Sequence, residues 1–86
     1  MRFLLADDHP LFRDALRTIV QRAFAQAEVI EAPDVSGIYA ALDGDTDLLL
    51  LDLAMPGARG FSALVALRAQ FPALPVIVVS GRSDPL

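Results

Sequence analysis

Four short, largely apolar segments alternate with longer amphipathic ones and predict four β-strands. Three of them are almost continuously apolar and too short for helices: Phe3–Ala6, Leu48–Leu51 and Val76–Val79. Such runs are typical of strands in a parallel sheet that helices cover on both faces. The fourth, Glu28–Ala32, is interrupted by glutamates, so we interpret it as an edge strand.

The segment Leu11–Ala25 has the periodicity of an amphipathic helix, with Pro10 at a position where a first helical turn tolerates proline. We expect one apolar stripe to face the sheet, formed by Phe12, Leu16, Val20 and Phe24 with Ala15, Ile19 and Ala23 on the adjacent row. We expect the opposite side to hold most of the polar residues, namely Arg13, Arg17, Gln21 and Arg22.

Two further helices are predicted. The first, Val35–Leu42, has Asp34 as its N-cap and is ended by Asp43-Gly44. The second, Phe61–Gln70, stops before Pro72. Its apolar positions are Phe61, Leu64, Val65 and Leu67. Strands that alternate with helices in this way predict a single α/β domain with a parallel, doubly wound sheet and right-handed crossovers.

The C-terminal segment predicts that the fold continues past Leu86. Ser83-Asp84-Pro85 is a helix-start signal, with an aspartate cap before a proline at the first helical position. Val76–Val79 also has the composition of an internal strand, because an uncharged apolar edge invites pairing with another chain. We therefore expect residues 1–86 to be a domain that lacks its last elements.

Composition and charge exclude some classes of function for this segment. The 86 residues have a net charge of −4, and this segment is therefore a poor candidate for contacting nucleic acid. Asp7 and Asp8 interrupt the N-terminal apolar run too early for a signal peptide, and no stretch is long enough to cross a membrane. We expect a cytoplasmic protein without a membrane contact. There is no cysteine and, among seven cationic residues, no lysine.

Polar residues with oxygen ligands end the predicted inner strands. Asp7 and Asp8 follow the first, Asp52 follows the third and Ser80 follows the fourth. Ligands of open α/β sheets bind outside the carboxyl ends of the strands, so these side chains should converge. Carboxylates in one pocket repel each other and raise one another's pKa values, which a hard divalent cation relieves. The pattern predicts a Mg²⁺ site prepared for a phosphoryl group.

Each of these residues also has an ordinary explanation. An aspartate after a strand is commonly a helix cap, and serine is common in turns. We interpret His9 as a solvent-facing residue at the start of a helix, Met55-Pro56-Gly57 as a type II turn and Arg59 as a solvated loop charge. Only the joint pattern of acidic residues at one sheet edge favours a metal site.

Three motifs carry a resemblance to a known family. Asp7-Asp8-His9-Pro10, Asp52-Leu53-Ala54-Met55-Pro56-Gly57 and Val78-Val79-Ser80-Gly81 resemble the receiver domains of two-component response regulators. The His-Pro after the acidic pair, and the Met-Pro-Gly turn leading to Gly60, are most similar to the NarL/LuxR type, whose receivers usually precede a DNA-binding domain. The resemblance covers the whole chain.

The resemblance implies a flavodoxin-like (CheY-like) fold with strand order 2-1-3-4-5, of which strands 1–4 and helices 1–3 are present and helix 4, strand 5 and helix 5 are lacking. It implies that Asp52 accepts a phosphoryl group from a sensor histidine kinase. Mg²⁺ would be bound by Asp8 directly, by Asp7 through water, and by Asp52 and the backbone carbonyl of Ala54. Ser80 would hydrogen-bond a phosphoryl oxygen, and the chain would be part of a transcriptional regulator.

The chain also departs from the family pattern. The family has a phosphate-pairing lysine after strand 5, and this chain has no lysine. Arg82 lies too close to Ser80 to replace it. We therefore expect impaired phosphorylation, and no multi-turnover enzyme. The alternative is an interaction module that dimerises through the exposed strand Val76–Val79.

Two further classes fit poorly. Phosphatases of the haloacid dehalogenase type need a second aspartate where this chain has Ala54. A flavodoxin that binds flavin would place a phosphate beside Asp7 and Asp8 without a metal.

Overall fold

The computed structural model describes residues 1–59 and 61–79, which form a four-stranded parallel sheet with three helices. The strands are β1 Arg2–Ala6, β2 Glu28–Ala32, β3 Leu48–Asp52 and β4 Val76–Val79. Their order is β2-β1-β3-β4 with every pair parallel, which confirms the predicted fold class and the edge position of β2.

The helices are α1 Pro10–Ala23, α2 Val35–Ala41 and α3 Ser62–Gln70, each within two residues of its predicted bounds. The start signals act as predicted. Pro10 lies in the first turn of α1, and the Asp34 side chain accepts a hydrogen bond from the Gly37 amide at 2.7 Å. That bond satisfies one of the amides that a helix start leaves without a partner.

Helices cover both faces of the sheet. On the face of Phe3, the ring of Phe24 just after α1 packs edge-on against the Phe3 ring, with centroids 5.3 Å apart. Leu4 points to the opposite face because side chains alternate along a strand. There it joins a buried cluster that includes residues of α2 and α3: Leu4, Ala6, Ala32, Ile38, Leu49, Leu51, Met55, Ala58, Ala63 and Leu67.

The predicted sheet-facing stripe of α1 is wrong in part. Ile19 on the adjacent row is 62% exposed, and Ala15 and Ala23 are also exposed. The half-buried residues beside Phe12, Leu16 and Val20 are Arg13 and Arg17, which the sequence placed on the outer side. Both arginines bond to Glu31 on β2, so an ionic partner in the sheet sets the rotation of the helix.

In α3, two of the four apolar positions named from the sequence are exposed. Phe61 and Val65 are 65% and 66% exposed, while Ala63 and Leu67 are the buried residues of the helix. The smaller Ala63 occupies the sheet-facing row, because residues four apart lie on the same side of a helix.

β4 lies at the other edge of the sheet, although its composition predicts an internal strand. Within the described residues β3 is its only partner, and Ile77 and Val78 are 48% and 43% exposed. Ser80 and the helix-start signal at Ser83-Asp84-Pro85 lie outside the described residues. In the part of the chain that the structure describes, no helix is long and apolar enough to span a membrane.

Candidate functional site

Two neighbouring strands bring three aspartates to one edge of the sheet. Asp7 and Asp8 follow the last residue of β1, and Asp52 is the last residue of β3. Since β1 and β3 are paired in parallel, with Ala6 opposite Leu51, these strand ends are adjacent. One ligand atom from each of Asp7, Asp8, His9 and Asp52 lies within 4.8 Å of the others. The predicted convergence of the three carboxylates is therefore present.

The Asp7 carboxylate is fixed and buried. Its backbone amide donates to the carbonyl of Ala32 at 3.1 Å, which extends the β1–β2 pairing by one residue. Its Oδ1 accepts the His9 amide at 2.7 Å, in the manner of an aspartate turn. The side chain is 0% exposed and its Oδ2 has no hydrogen-bond partner. A buried oxygen of this kind is costly unless something else binds it.

Burial raises the pKa of Asp7 above its ordinary value, and the nearby charges of Asp52 and Asp8 raise this pKa further. The amide of His9 acts in the opposite direction because it stabilises the ionised form. The sequence predicted repulsion between carboxylates, whereas the larger cause here is the removal of Asp7 from water.

Asp8 and His9 form the more accessible side of the cluster. Their side chains are 33% and 53% exposed, and His9 Nδ1 lies 3.2 Å from Asp8 Oδ1. Asp8 Oδ1 itself has no hydrogen-bond partner. His9 is the residue before α1, as predicted for a solvent-facing position at a helix start. Its proximity to the carboxylates was not predicted, because a sequence does not show how a turn brings its own residues together.

The loop after β3 positions Asp52. Asp52 is 2% exposed, and its Oδ1 accepts the Ala54 amide at 2.9 Å. The amide of Ala58 then bonds to the Met55 carbonyl at 3.1 Å, and Gly57 has a φ of 88°. This hydrogen bond and the positive φ agree with the predicted type II turn. Glycine suits the position because a Cβ there would lie 3.1 Å from the Val35 Cβ.

Arg13 is a site residue that the sequence reasoning missed. Its Nη1 donates to the Asp7 carbonyl at 2.8 Å, and its Nε donates to Glu31 Oε1 at 2.6 Å. Periodicity alone had assigned Arg13 to the polar side of α1. A signal was available in the glutamates that interrupt β2, because a carboxylate on a sheet face needs a cationic partner on the helix above it.

The donor set suits a hard divalent cation. Its three aspartates offer carboxylate oxygens, which are the ligands that Mg²⁺ takes in proteins, and its fourth member is His9. Asp7 Oδ2 and Asp8 Oδ1 form no hydrogen bond, although His9 Nδ1 lies 3.2 Å from Asp8 Oδ1. Among the described residues, no lysine or arginine forms an ion pair with Asp7, Asp8 or Asp52; Arg13 contacts only the main chain of Asp7. The predicted roles of Ser80, which lies outside the described residues, and of the Ala54 carbonyl remain predictions.

A doubly wound parallel sheet with an acidic cluster at its carboxyl edge defines the class of α/β proteins to which receivers belong. The family model described as the response regulator receiver domain matches residues 3–85. The chain therefore belongs to the response regulator receiver family, which confirms the resemblance.

Curated relatives agree. The chain is 43% identical over 86 residues to a glycerol metabolism activator of Pseudomonas putida, covering 96% of this chain and 38% of the relative. It is 38% identical over 78 residues to the nitrate/nitrite response regulator protein NarL of Escherichia coli, covering 90% of this chain and 36% of NarL. The chain thus spans under two fifths of the length of these relatives. The relatives support a receiver of the NarL/LuxR type.

Solved structures show the same fold. RcsB from Salmonella enterica serovar Typhimurium, bound to a promoter in the presence of the phosphomimetic BeF3⁻, superposes with a TM-score of 0.82 at 28% identity. The match covers 99% of this chain and 44% of RcsB. The response regulator MaeR bound to beryllium trifluoride matches with a TM-score of 0.79 at 17% identity, which shows the fold alone. It covers 98% of this chain and 70% of MaeR.

Proposed function

We propose that this chain is the phosphoacceptor receiver of a two-component system and takes a phosphoryl group onto Asp52. The observation that carries the proposal is the cluster of Asp7, Asp8 and Asp52, whose ligand atoms lie within 4.8 Å of one another at the carboxyl edge of the sheet. Two of its oxygens, Asp7 Oδ2 and Asp8 Oδ1, have no hydrogen-bond partner. In the proposed reaction these oxygens bind a divalent cation, which in turn binds the phosphoryl group.

The proposed ligands of Mg²⁺ are Asp8 directly, Asp7 through water, Asp52, and the backbone carbonyl of Ala54. Burial of Asp7 and exposure of Asp8 support this division, since the more accessible Asp8 can exchange water for metal. When bound, Mg²⁺ would neutralise charge on the transferred phosphoryl group and on the carboxylates.

The hydrogen bond from the Ala54 amide occupies Oδ1 of Asp52. Among the described residues, none donates a hydrogen bond to Oδ2, so Oδ2 is the proposed nucleophile. It forms a new bond to phosphorus in line with the bond that breaks, which is the phosphorus–nitrogen bond of a sensor kinase phosphohistidine. The donor imidazole leaves with the electron pair, and Asp52 becomes a mixed anhydride of carboxylate and phosphate.

Ser80 is proposed to hydrogen-bond a phosphoryl oxygen and so to report phosphorylation. By its similarity to NarL, the chain is proposed to act in the cytoplasm within a transcriptional regulator, without contacting nucleic acid itself. We further propose that Asp52 accepts one phosphoryl group per chain and that the chain performs no multi-turnover catalysis.

The test is the intact mass after incubation with acetyl phosphate, with and without Mg²⁺. We expect one added phosphoryl group that requires Mg²⁺ and is absent from Asp52→Asn. Asp14→Asn is the matched control, because Asp14 is an exposed carboxylate on α1 outside the cluster. A folded wild-type protein without an adduct, or an adduct that persists in Asp52→Asn, would refute the proposal.

A second candidate function is dimerisation through the β4 edge. The exposed side chains of Ile77 and Val78 favour it, because an uncharged apolar edge strand invites pairing with a second copy about a two-fold axis. Light scattering coupled to size exclusion across a concentration series tests this candidate. We expect a dimer that Val78→Lys disrupts and that Val65→Lys, at a more exposed valine on α3, leaves intact; a monomer at every concentration would exclude it.

A further inference from the structure

We propose that Arg13 is a positioning residue for the acidic cluster, holding the main chain at Asp7 so that the carboxylates of Asp7 and Asp8 face a bound divalent cation. The inference rests on the proposed function, since it concerns the same site. It assigns the role to a side chain that lies outside the three sequence motifs and touches neither the metal ligands' carboxylates nor Asp52.

The guanidinium of Arg13 forms two hydrogen bonds in different directions. Nη1 donates to the carbonyl of Asp7 at 2.8 Å, and Nε donates to Glu31 Oε1 at 2.6 Å. The Arg13 side chain is 20% exposed and Glu31 is 24% exposed, so both groups are mostly out of water. A planar guanidinium donates these bonds from two separate nitrogens in a fixed geometry, whereas a lysine has a single donor nitrogen at the end of a flexible stem.

Arg17 anchors the other oxygen of Glu31. Its Nε donates to Glu31 Oε2 at 2.6 Å, and its Nη2 contacts the same oxygen. Glu31 lies on β2 opposite Leu5 of β1. The contacts therefore run from Arg17 to Glu31, on to Arg13, and end at the Asp7 carbonyl, which ties α1, the edge strand and the β1–α1 turn together.

The position of the Asp7 carbonyl matters because it belongs to the peptide that joins Asp7 to Asp8. Rotation of that peptide would move Asp8, and it would strain the 2.7 Å bond between the His9 amide and Asp7 Oδ1. Residues that orient metal ligands commonly change metal affinity by about 10–100-fold when they are removed. Arg13 contacts only the main chain of Asp7 and shares the Glu31 carboxylate with Arg17, so we assign its effect to position and not to an ion pair with the cluster.

Arg17 provides a matched control. Both arginines are on α1, both are half-buried and both bond to Glu31, but only Arg13 reaches Asp7. We would measure Mn²⁺ binding by electron paramagnetic resonance, since Mn²⁺ accepts the same oxygen ligands. We expect Arg13→Ala to weaken Mn²⁺ binding by about tenfold or more. Arg17→Ala should weaken it much less, because the bonds from Arg13 to Glu31 and to the Asp7 carbonyl remain. Arg13→Lys should resemble Arg13→Ala.

A second measurement needs no metal. The hydrogen exchange rate of the His9 amide, followed by nuclear magnetic resonance in metal-free protein, reports the turn directly. We expect faster exchange at His9 in Arg13→Ala than in Arg17→Ala. If Arg13→Ala does not fold, Arg13→Lys keeps the aliphatic stem and serves in both measurements.

The outcomes separate the two proposals. Failure of the wild-type protein to bind Mn²⁺ would refute the metal site, and the exchange rates would still test whether Arg13 holds the turn. Equal Mn²⁺ affinity in wild type and in Arg13→Ala, or equal His9 exchange in the Arg13 and Arg17 variants, would overturn the positioning role.

Discussion

The carboxylates at the two ends of the sheet differ in whether they have hydrogen-bond partners. At the amino end, Arg2 bonds to the carboxylates of Glu28 and Asp43 through its side chain, at 3.1 and 2.5 Å, and to Asp47 through its amide at 2.8 Å. At the carboxyl end, Asp7 and Asp8 each have an oxygen without a hydrogen-bond partner.

The pKa values differ in the same way. Asp43 has a lowered pKa, chiefly because the Asp45 amide bonds to its carboxylate, with Arg2 acting in the same direction. Asp7 has a raised pKa, chiefly because it is buried. At the amino end Arg2 bonds to all three carboxylates, whereas at the carboxyl end Arg13 reaches only the main chain of Asp7 and His9 is the one ionisable base beside the carboxylates of the described residues. The proposed Mg²⁺ site at the carboxyl end therefore predicts that a cation from solution stabilises the protein and that the buried charge of Asp7 destabilises the metal-free protein.

The largest expected effect is stabilisation by Mg²⁺. A ligand that binds only the folded state stabilises it by about 2.7 kcal/mol at one hundred times its Kd. We expect Mg²⁺ to raise the free energy of unfolding of the wild-type protein, as measured by urea denaturation at constant ionic strength. Asp8→Asn should abolish most of this gain. A gain of equal size in Asp8→Asn would mean that Mg²⁺ acts elsewhere.

The next effect concerns the metal-free protein. We expect Asp7→Asn to increase its free energy of unfolding by about 1–2 kcal/mol, because the change removes a buried charge and leaves an amide that can donate to a neighbouring carboxylate. The Oδ1 that accepts the His9 amide is retained. Asp14→Asn, at an exposed position, should change stability by less than about 0.5 kcal/mol. Loss of stability in Asp7→Asn would contradict the view that this charge opposes folding.

Much of this contrast could be predicted from the sequence. Continuous apolar runs specified the parallel strands, and the carboxyl ends of adjacent parallel strands meet at one edge, so Asp7, Asp8 and Asp52 could be brought together without a structure. The helix starts at Pro10 and Asp34 could also be predicted from the sequence, because helix capping depends on residues close in sequence.

The errors arose where a residue's environment depends on a distant partner. Arg13 and Arg17 face the sheet because Glu31 lies there, and helical periodicity treats an arginine as polar wherever its partner is. Ile19, Phe61 and Val65 are apolar but exposed, since within the described residues no element packs over them. The ionic network at Arg2 went unpredicted for the same reason, because its acceptors lie 26–45 residues away.

A smaller effect is expected from breaking the ionic network around Arg2 at the amino end of the sheet. Arg2→Met should lower the free energy of unfolding by less than Asp7→Asn raises it, because exposed ion pairs contribute little and salt screens them. Urea denaturation at low and high NaCl measures this, and the difference between variant and wild type should narrow at high salt. Arg22→Met, at an exposed position in the last turn of α1, is the control. A salt-independent loss in Arg2→Met would instead indicate that the packing of the side-chain stem is what matters.

The smallest effect is a pH dependence at Asp43. Its pKa is lower in the folded protein than its ordinary value of 3.8, so its ionised form favours folding. That stability is fully present above pH 3.8 and is lost as the pH falls through the lower folded-state pKa. Wild type should therefore be more stable than Asp43→Asn near neutral pH, and the difference should shrink below pH 3.8, as followed by urea denaturation across this range. Asp45→Asn, an exposed carboxylate in the same loop, is the matched control. If the difference in free energy of unfolding between wild type and Asp43→Asn grew in acid, the pKa of Asp43 would be raised by folding and not lowered. The amino end of the sheet would then resemble the carboxyl end, where the pKa of Asp7 is raised.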